Sequence, residues 1–483
     1  MKTRTIQISS VLALVLSGCG DASFLGDASS LGVTQGGAQD MALAREIIES
    51  GGIPEEGSFT SEGLFSEHDL PLEGEACAQD LCPRAALAQV VPLDGGDTRM
   101  LVQLGFATGV DPDTFQRNPL NLSVAVDVSG SMSGEKLSSV KEALSAMVAQ
   151  LDGDDRMSLV TYGTSAKLRK RSVQMDDGGQ RSMLRAIDRM RTAGSTNMEA
   201  GMELAYGQIL EHAGQEGVSD RLMLFTDAMP NVGATEPGSF IGLMQSHSEQ
   251  GIGISVFGVG LDLGAELASE ISKTRGGNSY FLADSEAIST VFDEDFDFVV
   301  TPVAYDLGVA LELGEGVGLE AAYGAPSASD DGFELGASTL FLSRRNGGIG
   351  VMLDAEDLSG KLGTLELRYE TVGGETVEDS VHLQFIGGSH VSSTADADDL
   401  GVLKMAHLID EIHAIEAAAG FCSGELASEE AAALVLEAQE RLAEASMLLS
   451  DEAIGAESSL MERLGDNLDL GADSCWGHEA YEH

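Results

Sequence analysis

The sequence predicts an α/β protein in which a doubly wound, mainly parallel sheet is accompanied by a flanking β-sandwich and a C-terminal helical segment. Between residues 121 and 300, short apolar runs alternate with segments of helical periodicity. This order is typical of a parallel sheet covered by helices on both faces. From 301 to 392 short strand-like runs with turn signals replace the helices, and 393–483 contain long helical stretches.

Residues 1–18 have the pattern of an export signal. Lys2 and Arg4 precede a mostly apolar run that is too short to span a membrane. The Leu-Ser-Gly-Cys sequence that ends at Cys19 resembles a bacterial lipobox, which implies acylation of Cys19 and a lipid-anchored protein of the bacterial cell envelope. Gly20, in place of Asp, favours an outer-membrane address. An ordinary secretory signal is the alternative.

The segments before the central domain differ in composition. Residues 19–76 are rich in Gly, Ser, Ala, Asp and Glu. This composition predicts a mostly flexible tether with a short helix near 41–49. Residues 77–120 form a flanking β segment, with strands predicted at 88–91 and 99–108.

The central domain, 121–300, contains the alternating elements. Its strands are predicted over residues 122–126, 157–162, 221–225 and 253–259, and its helices over 136–151, 180–190, 197–213 and 238–250. A further helix over 265–274 and an edge strand over 279–282 complete it.

Two regions follow. Residues 301–392 form the β-sandwich, with strands at 306–313, 338–342, 348–353, 361–370 and 380–385. The strands near residue 99 could complete the same sandwich, and the sequence leaves this open. Residues 393–483 form the helical region, with helices at 396–419, 428–449 and 456–464. Their apolar stripes, for example Leu403, Leu408, Ile412 and Ile415, indicate core packing.

Four cysteines remain besides Cys19, namely Cys77, Cys82, Cys422 and Cys475. An even number in an exported protein favours two disulfides. Of the three possible pairings, the most economical joins Cys77 to Cys82 and Cys422 to Cys475. A zinc site is the weaker alternative, because the ligand pairs lack the usual C-x-x-C spacing.

The chain is strongly acidic. It has 27 Lys and Arg against 79 Asp and Glu, a formal net charge of −52 at pH 7. Such a surface repels nucleic acid and anionic lipid, so neither is expected as a partner. Solubility in a salty medium is the simplest role for this charge.

Oxygen-bearing side chains follow the first predicted strand of the central domain. Asp127, Ser129 and Ser131 lie where that strand ends, and open α/β sheets bind ligands at this edge. Three oxygen donors at alternating positions suit a hard divalent cation such as Mg2+. Thr196 and Asp227, in two later loops, offer the oxygens that would complete such a site.

The D-x-S-x-S, T and D set, in this order and spacing, resembles the von Willebrand factor type A (vWA) domain over roughly residues 121–300. Separate family motifs match NLSVAVDVSGSMS at 121–133, GSTNMEAG at 194–201 and LMLFTDAMPN at 222–231. The resemblance implies a Rossmann-like, doubly wound fold with a metal-ion-dependent adhesion site at the carboxyl edge of the sheet.

The resemblance also implies a role for each site residue. Ser129, Ser131 and Thr196 would bind the cation directly, and Asp127 and Asp227 would bind it directly or through water. Neutral hydroxyl ligands leave the cation much of its charge, so that an acidic residue of a partner protein can take the open position. Mg2+ is the first choice, with Mn2+ or Ca2+ as alternatives.

Simpler roles compete at several positions. Ser131 or Ser133 could cap the helix that follows, and Asn197 could either support the metal loop or cap a helix. Glu135 is a single carboxylate where some integrin relatives keep a pair, which leaves a second cation site doubtful.

The predicted function is binding, not catalysis. Met132 stands at the centre of GSMSG, which fails the G-x-S-x-G nucleophile pattern, and Leu263 replaces the third glycine of a dinucleotide fingerprint. We therefore expect a lipid-anchored envelope protein that binds a protein ligand through a divalent-metal adhesion site. The alternatives are a structural or assembly scaffold with metal-independent docking, and an accessory component of a metal- or protease-handling complex.

Overall fold

The computed structural model describes residues 32–35, 38–39, 41–111, 114–227, 237–259, 270–271, 273–282, 291–292, 295–324, 327–328, 334–355, 358 and 361–475. Cys19 and the predicted export signal, and most of the helix predicted over 265–274, lie outside these residues.

The strands in chain order are β1 (Gly32–Gln35), β2 (Ala38–Gln39), β3 (Cys82–Val90), β4 (Arg99–Ala107), β5 (Leu120–Asp127), β6 (Arg156–Tyr162), β7 (Lys167–Gln174), β8 (Ser219–Thr226), β9 (Gly253–Val259), β10 (Gly277–Leu282), β11 (Pro302–Leu313), β12 (Val317–Tyr323), β13 (Ser327–Ala328), β14 (Glu334–Ser343), β15 (Gly348–Ala355), β16 (Lys361–Thr371), β17 (Thr376–Gln384), β18 (His390–Val391) and β19 (Ala395–Ala397). The helices are α1 (Met41–Glu49), α2 (Ser61–Glu67), α3 (Glu135–Gln150), α4 (Asp177–Asp188), α5 (Met198–Leu210), α6 (Pro237–Ser248), α7 (Phe296–Val299), α8 (Leu400–Ser423), α9 (Ser428–Leu449) and α10 (Glu452–Asp469).

The central domain is built on a mainly parallel sheet, as the sequence predicts. Its strand order is β2-β10-β9-β8-β5-β6-β7, and every pair is parallel except β6 with β7. All eight residues of β5 are buried, since helices cover both faces of the sheet. One apolar core contains residues of α3 and α4, and the other contains residues of α5 and α6.

The antiparallel strand β7 was not predicted. Its sequence, KLRKRSVQ, contains four basic residues and lacks the apolar alternation of a half-buried strand. It forms the edge of the sheet beside β6, where one side of a strand needs no partner and charged side chains are tolerated.

A second, antiparallel sheet contains strands from both sides of the central domain. Strand β4 pairs with β15 from Gly348 opposite Gly105 to Leu353 opposite Met100. Strands β11, β14, β16 and β17 extend the same sheet, which surrounds an apolar core of its own. The segment around residue 99 and the strands after residue 301 therefore meet in one sheet, with the central domain inserted between them.

The C-terminal helices α8, α9 and α10 pack on one another and on this antiparallel layer. The apolar stripe Leu403, Leu408, Ile412 and Ile415 is buried, as the sequence predicts. Disulfides join Cys77 to Cys82 and Cys422 to Cys475, which is the pairing that the sequence favours. None of the helices that the structure describes is long and apolar enough to cross a membrane.

The prediction of a flexible tether over 19–76 is wrong for the described residues from 32 onward. Strand β1 pairs with β14 and touches β4, and β2 pairs with β10, so the strand predicted at 279–282 is not the edge of its sheet. Met41 and Ile48 of α1 and Phe65 of α2 are fully buried. The average composition of this segment gives little weight to its few apolar side chains, although these are spaced so that they can be buried on one side of a helix or strand.

Candidate metal centre

Asp127 ends β5 and shapes the loop that follows. Its carboxylate is fully buried. Its Oδ1 accepts a hydrogen bond from the backbone N–H of Ser129 at 2.7 Å, and its Oδ2 accepts one from Thr226 Oγ1 at 3.3 Å. The first bond turns the chain so that the Ser129 side chain lies at the carboxyl edge of the sheet. The second joins the ends of β5 and β8.

The predicted oxygens Ser129, Ser131 and Asp227 lie together at this edge. Ser129 Oγ lies 2.9 Å from Ser131 Oγ, and Ser131 Oγ donates to Asp227 Oδ1 at 2.9 Å. Neighbouring oxygens around an octahedral Mg2+ ion with bonds of about 2.1 Å are about 3.0 Å apart. The observed spacing therefore suits a small hard cation.

The loop that carries Thr196 is held against the first loop by backbone hydrogen bonds. The N–H of Ala193 donates to Val128 O at 2.5 Å, and the N–H of Gly130 donates to Gly194 O at 3.0 Å. Gly194 has a φ of 84°, and a Cβ there would collide with Thr164, so the loop needs glycine at this position. Thr196 is buried in this loop, next to the loop of Ser129.

Lys136 is a charged neighbour that the sequence analysis missed. Its Nζ donates to Asp227 Oδ2 at 2.9 Å, and Asp227 is completely buried while the Lys136 side chain keeps 30% of its exposure. Lys136 stands in the first turn of α3, nine positions after Asp127. The position of a basic residue in that turn is the only signal that could have indicated it.

The floor of the site is polar and buried. Burial raises the pKa of Asp127 to about 6, although hydrogen bonds from Ser129 oppose this shift. Tyr162, in register with Asp127 on β6, donates to Phe225 O at 3.2 Å. Burial, and then the charge of Asp127, raises the pKa of Tyr162 well above its usual range. A positive ion at this edge would offset the cost of ionising Asp127.

The structure decides between the simpler roles. Gly134 precedes α3 with a φ of 77° and no side chain caps that helix end, so the capping hypothesis for Ser131 and Ser133 is wrong. Asn197 does cap a helix, because its Oδ1 accepts from the backbone N–H of Ala200 at 3.1 Å. Glu135 is exposed in the first turn of α3.

A family comparison identifies the domain. Residues 121–294 match the family model of the von Willebrand factor type A domain. These residues form a von Willebrand factor type A domain. Such domains typically mediate protein interactions and often bind a divalent metal at a metal-ion-dependent adhesion site. The last residues of the third motif, 228–231, lie outside the described part of this vWA domain.

Curated relatives share part of the chain. It is 29% identical over 252 residues to the uncharacterised protein YfbK of Escherichia coli (strain K12), covering 51% of this chain and 43% of YfbK. It is 26% identical over 172 residues to inter-alpha-trypsin inhibitor heavy chain H4 of Homo sapiens, covering 34% of this chain and 18% of the relative. The chain thus spans less than half the length of these relatives.

A solved structure shares the fold beyond the vWA domain. The von Willebrand factor type A protein from Catenulispora acidiphila superimposes with a TM-score of 0.50 at 15% identity, covering 79% of this chain and 91% of that one. The similarity extends the shared architecture to the layers around the vWA domain.

Proposed function

We propose that this protein is a non-enzymatic, lipid-anchored binding protein of the bacterial cell envelope, whose vWA domain takes up a protein ligand through a divalent cation. The observation that carries the proposal is the oxygen cluster of Ser129, Ser131 and Asp227, whose neighbouring oxygens are 2.9 Å apart. Mg2+ is the first choice for such an oxygen-only site, with Mn2+ or Ca2+ as alternatives.

The residues support a cation that keeps an open position. Ser129, Ser131 and Thr196 would hold it through neutral oxygens, and Asp227 and Asp127 would balance its charge. When bound, the cation supplies a positive charge that accepts a carboxylate of the ligand. An acidic partner can then approach an acidic protein, because the cation reverses the sign of the local field.

Calorimetric titration of Mg2+ and Mn2+ into the full-length protein tests the metal site. We expect saturable one-site binding that is lost in Asp127→Ala and Thr196→Ala. Ser133→Ala is the matched control, because Ser133 is an exposed hydroxyl of the same loop. Circular dichroism checks that each variant is folded. Equal binding by the parent and the folded Thr196→Ala variant would contradict the proposal.

The lipid anchor is tested separately. We expect Cys19→Ser to release the protein from the membrane fraction of bacteria that express it, with Cys77→Ser as a cysteine control that stays attached. A Cys19→Ser protein that remains in membranes would remove the lipoprotein part of the proposal and leave the metal part intact.

A metal-independent scaffold is the second candidate, and the Lys136–Asp227 ion pair favours it. The ammonium group of Lys136 lies 2.9 Å from the buried Asp227 carboxylate and can balance its charge, so this carboxylate does not require a cation. A scaffold would keep its partner in the presence of chelator and after Thr196→Ala, whereas a metal-dependent receptor would lose it under both conditions.

A further inference from the structure

The basic residues of this acidic chain are concentrated in one segment of the vWA domain, beside the carboxyl edge of the sheet where the metal centre is proposed. Residues 156–191 contain nine of the 27 Lys and Arg but three Asp and Glu, whereas the rest of the chain has 18 basic against 76 acidic residues. Chance scatter of the basic residues would leave this segment as acidic as the rest. It is instead the one strongly positive stretch in the chain.

Two residues of this segment, Lys167 and Arg191, lie near the edge of the sheet that carries the proposed metal centre. Val126, Thr161 and Lys167 are in register across β5, β6 and β7, so Lys167 lies two strand spacings, about 10 Å, from the end of β5. Arg191 stands two residues before Ala193, whose N–H donates to the carbonyl oxygen of Val128 in the loop after β5.

Between Lys167 and Arg191, three arginines of α4 and its C-cap face solvent. Arg181, Arg185 and Arg189 are spaced by four residues along α4 and its C-cap, on the side opposite the buried Met183 and Ile187. On β7, Lys170 lies opposite Leu159, which packs in the same apolar core as Met183. Cross-strand neighbours share a face, so β7 and α4 contribute to one basic face.

Most of these charges are uncompensated. In the part of the chain that the structure describes, no carboxylate lies within ion-pair distance of Lys167, Lys170, Arg181, Arg185 or Arg189. Arg171 has only Glu211, at 4.0 Å, and its side chain is 78% exposed. Asp176, one of the three acids of the segment, caps α4 instead. Lysine on an edge strand can simply prevent aggregation, but that role does not explain the arginine row on α4.

We infer that the ligand of the metal centre is an acidic protein segment that carries several carboxylates, of which one binds the cation and others bind the basic face formed by β7 and α4. This inference rests on the proposed function. A ligand with a single carboxylate would need no such face, and the acidic remainder of the chain would repel an acidic segment from every other direction.

The test uses labelled peptides and the full-length protein. One peptide alternates Glu and Gly, and the second replaces all but one Glu by Gln. Fluorescence anisotropy measures their binding at low and at physiological salt, with Mg2+ or with chelator. The triple variant Lys167→Gln/Arg185→Gln/Arg189→Gln removes charge from the basic face. Lys361→Gln/Arg368→Gln/Arg463→Gln is the control, since these three cations are also exposed and lie elsewhere.

We expect the parent and the control to bind the multi-Glu peptide in Mg2+. The triple variant should bind it about tenfold more weakly at low salt, since each exposed charge contributes roughly a twofold to threefold factor. Its affinity for the single-Glu peptide and for Mg2+ should be unchanged.

Three results would overturn the inference. The parent could bind both peptides with equal affinity, or the triple variant and the control could lose equal affinity for the multi-Glu peptide. The third is that the parent binds duplex DNA more tightly than the peptide and without Mg2+. Absence of calorimetric Mg2+ binding in the parent would instead remove the proposed function itself. The two failures are therefore distinguishable.

Discussion

At the scale of single residues, the charge balance at Asp227 would decide how the proposed metal centre behaves. The two oxygens of this buried carboxylate have different partners, Ser131 and Lys136. A buried carboxylate without a positive partner is strongly destabilising. Lys136 supplies that partner when no cation is bound, so its ammonium group and a divalent cation compete for the Asp227 carboxylate.

Replacing Lys136 by Met should therefore have opposite effects on two quantities. The affinity for Mg2+ should rise severalfold, because the competing ammonium group is gone. The unfolding temperature of the metal-free protein should fall, because Asp227 loses its positively charged partner, and saturating Mg2+ should restore it. Calorimetry and thermal unfolding in chelator and in Mg2+ measure both.

Lys141→Met is the matched control for Lys136→Met, because Lys141 lies on the same helix and contacts Asp188 O instead of the metal loop. Lys141→Met should leave both the Mg2+ affinity and the unfolding temperature nearly unchanged. A Lys136→Met protein with unchanged Mg2+ affinity would show that the ion pair does not compete with the metal.

The proximity of Ser129, Ser131 and Asp227 could be predicted from the sequence, but the lysine beside them could not. Asp127, Ser129 and Ser131 are two positions apart in one loop, so their relation is local. The position of the Lys136 ammonium depends on where α3 begins, and that depends on the left-handed turn at Gly134. No local pattern indicates that this turn aims the side chain at Asp227.

At the scale of elements, the helical layer contains largely buried titratable side chains that connect α1, α8 and α10. Arg45 Nη2 donates to Glu457 Oε1 at 2.6 Å, and His68 Nε2 lies 3.0 Å from the same oxygen. Glu411 is fully buried beside them. Burial, and then the charge of Glu457, raises the pKa of Glu411 well above its usual range, although Arg45 opposes this.

The raised pKa makes stability depend on pH in a defined direction. Below the pKa of an unfolded glutamate, Glu411 is protonated in both the folded and the unfolded protein, and stability is at its full value. As pH rises through the raised folded pKa, this stability is lost, because the unfolded state gives up its proton more readily than the folded state. Glu411→Gln should therefore raise the free energy of unfolding more at pH 8 than at pH 5, as measured in urea. Glu462→Gln, an exposed glutamate of α10, is the control. An equal gain at both pH values would contradict the assignment.

The two disulfides should differ in their effect on stability. Cys422–Cys475 closes a loop with a sequence separation of 53, and Cys77–Cys82 one with a separation of 5. In the chain-entropy model, removing the first costs about 4 kcal/mol and removing the second about 2 kcal/mol. Urea unfolding of the two paired Cys→Ser variants measures this. A larger loss for Cys77→Ser/Cys82→Ser would show that native contacts, and not loop closure, set the effect.

The elements that the sequence predicts are those with strong apolar periodicity. Strands β5 and β8 and helices α8 and α9 follow from their buried faces. Strands β2 and β7 do not, for opposite reasons. Strand β2 has two residues, Ala38 and Gln39, and depends on pairing with the backbone edge of β10 that β9 does not occupy. Strand β7 is basic and is held by hydrogen bonds to β6, which carry no signal in side-chain hydropathy.

At the scale of the whole molecule, the segment just before α1 connects the two sheets. Strand β1 lies between β14 and β4 of the antiparallel sheet, and β2 extends the parallel sheet beyond β10. Strands before and after the vWA domain also meet where β4 pairs with β15. The vWA domain is thus joined to the antiparallel sheet by its own two chain ends and by this earlier segment.

A point substitution can test whether this segment belongs to the folded body or only tethers it. Val33 in β1 is 0% exposed and lies opposite Leu342, whereas Val391 in β18 is 62% exposed. Val33→Asp places an unpaired charge in the antiparallel core and should lower the free energy of unfolding by about 3 kcal/mol or more. Val391→Asp should change it by less than about 0.5 kcal/mol, because its side chain stays in water. Urea unfolding of both variants measures the difference. Equal, small effects would mean that β1 is not held in the sheet in solution, and the segment would then act as the tether that its composition predicts.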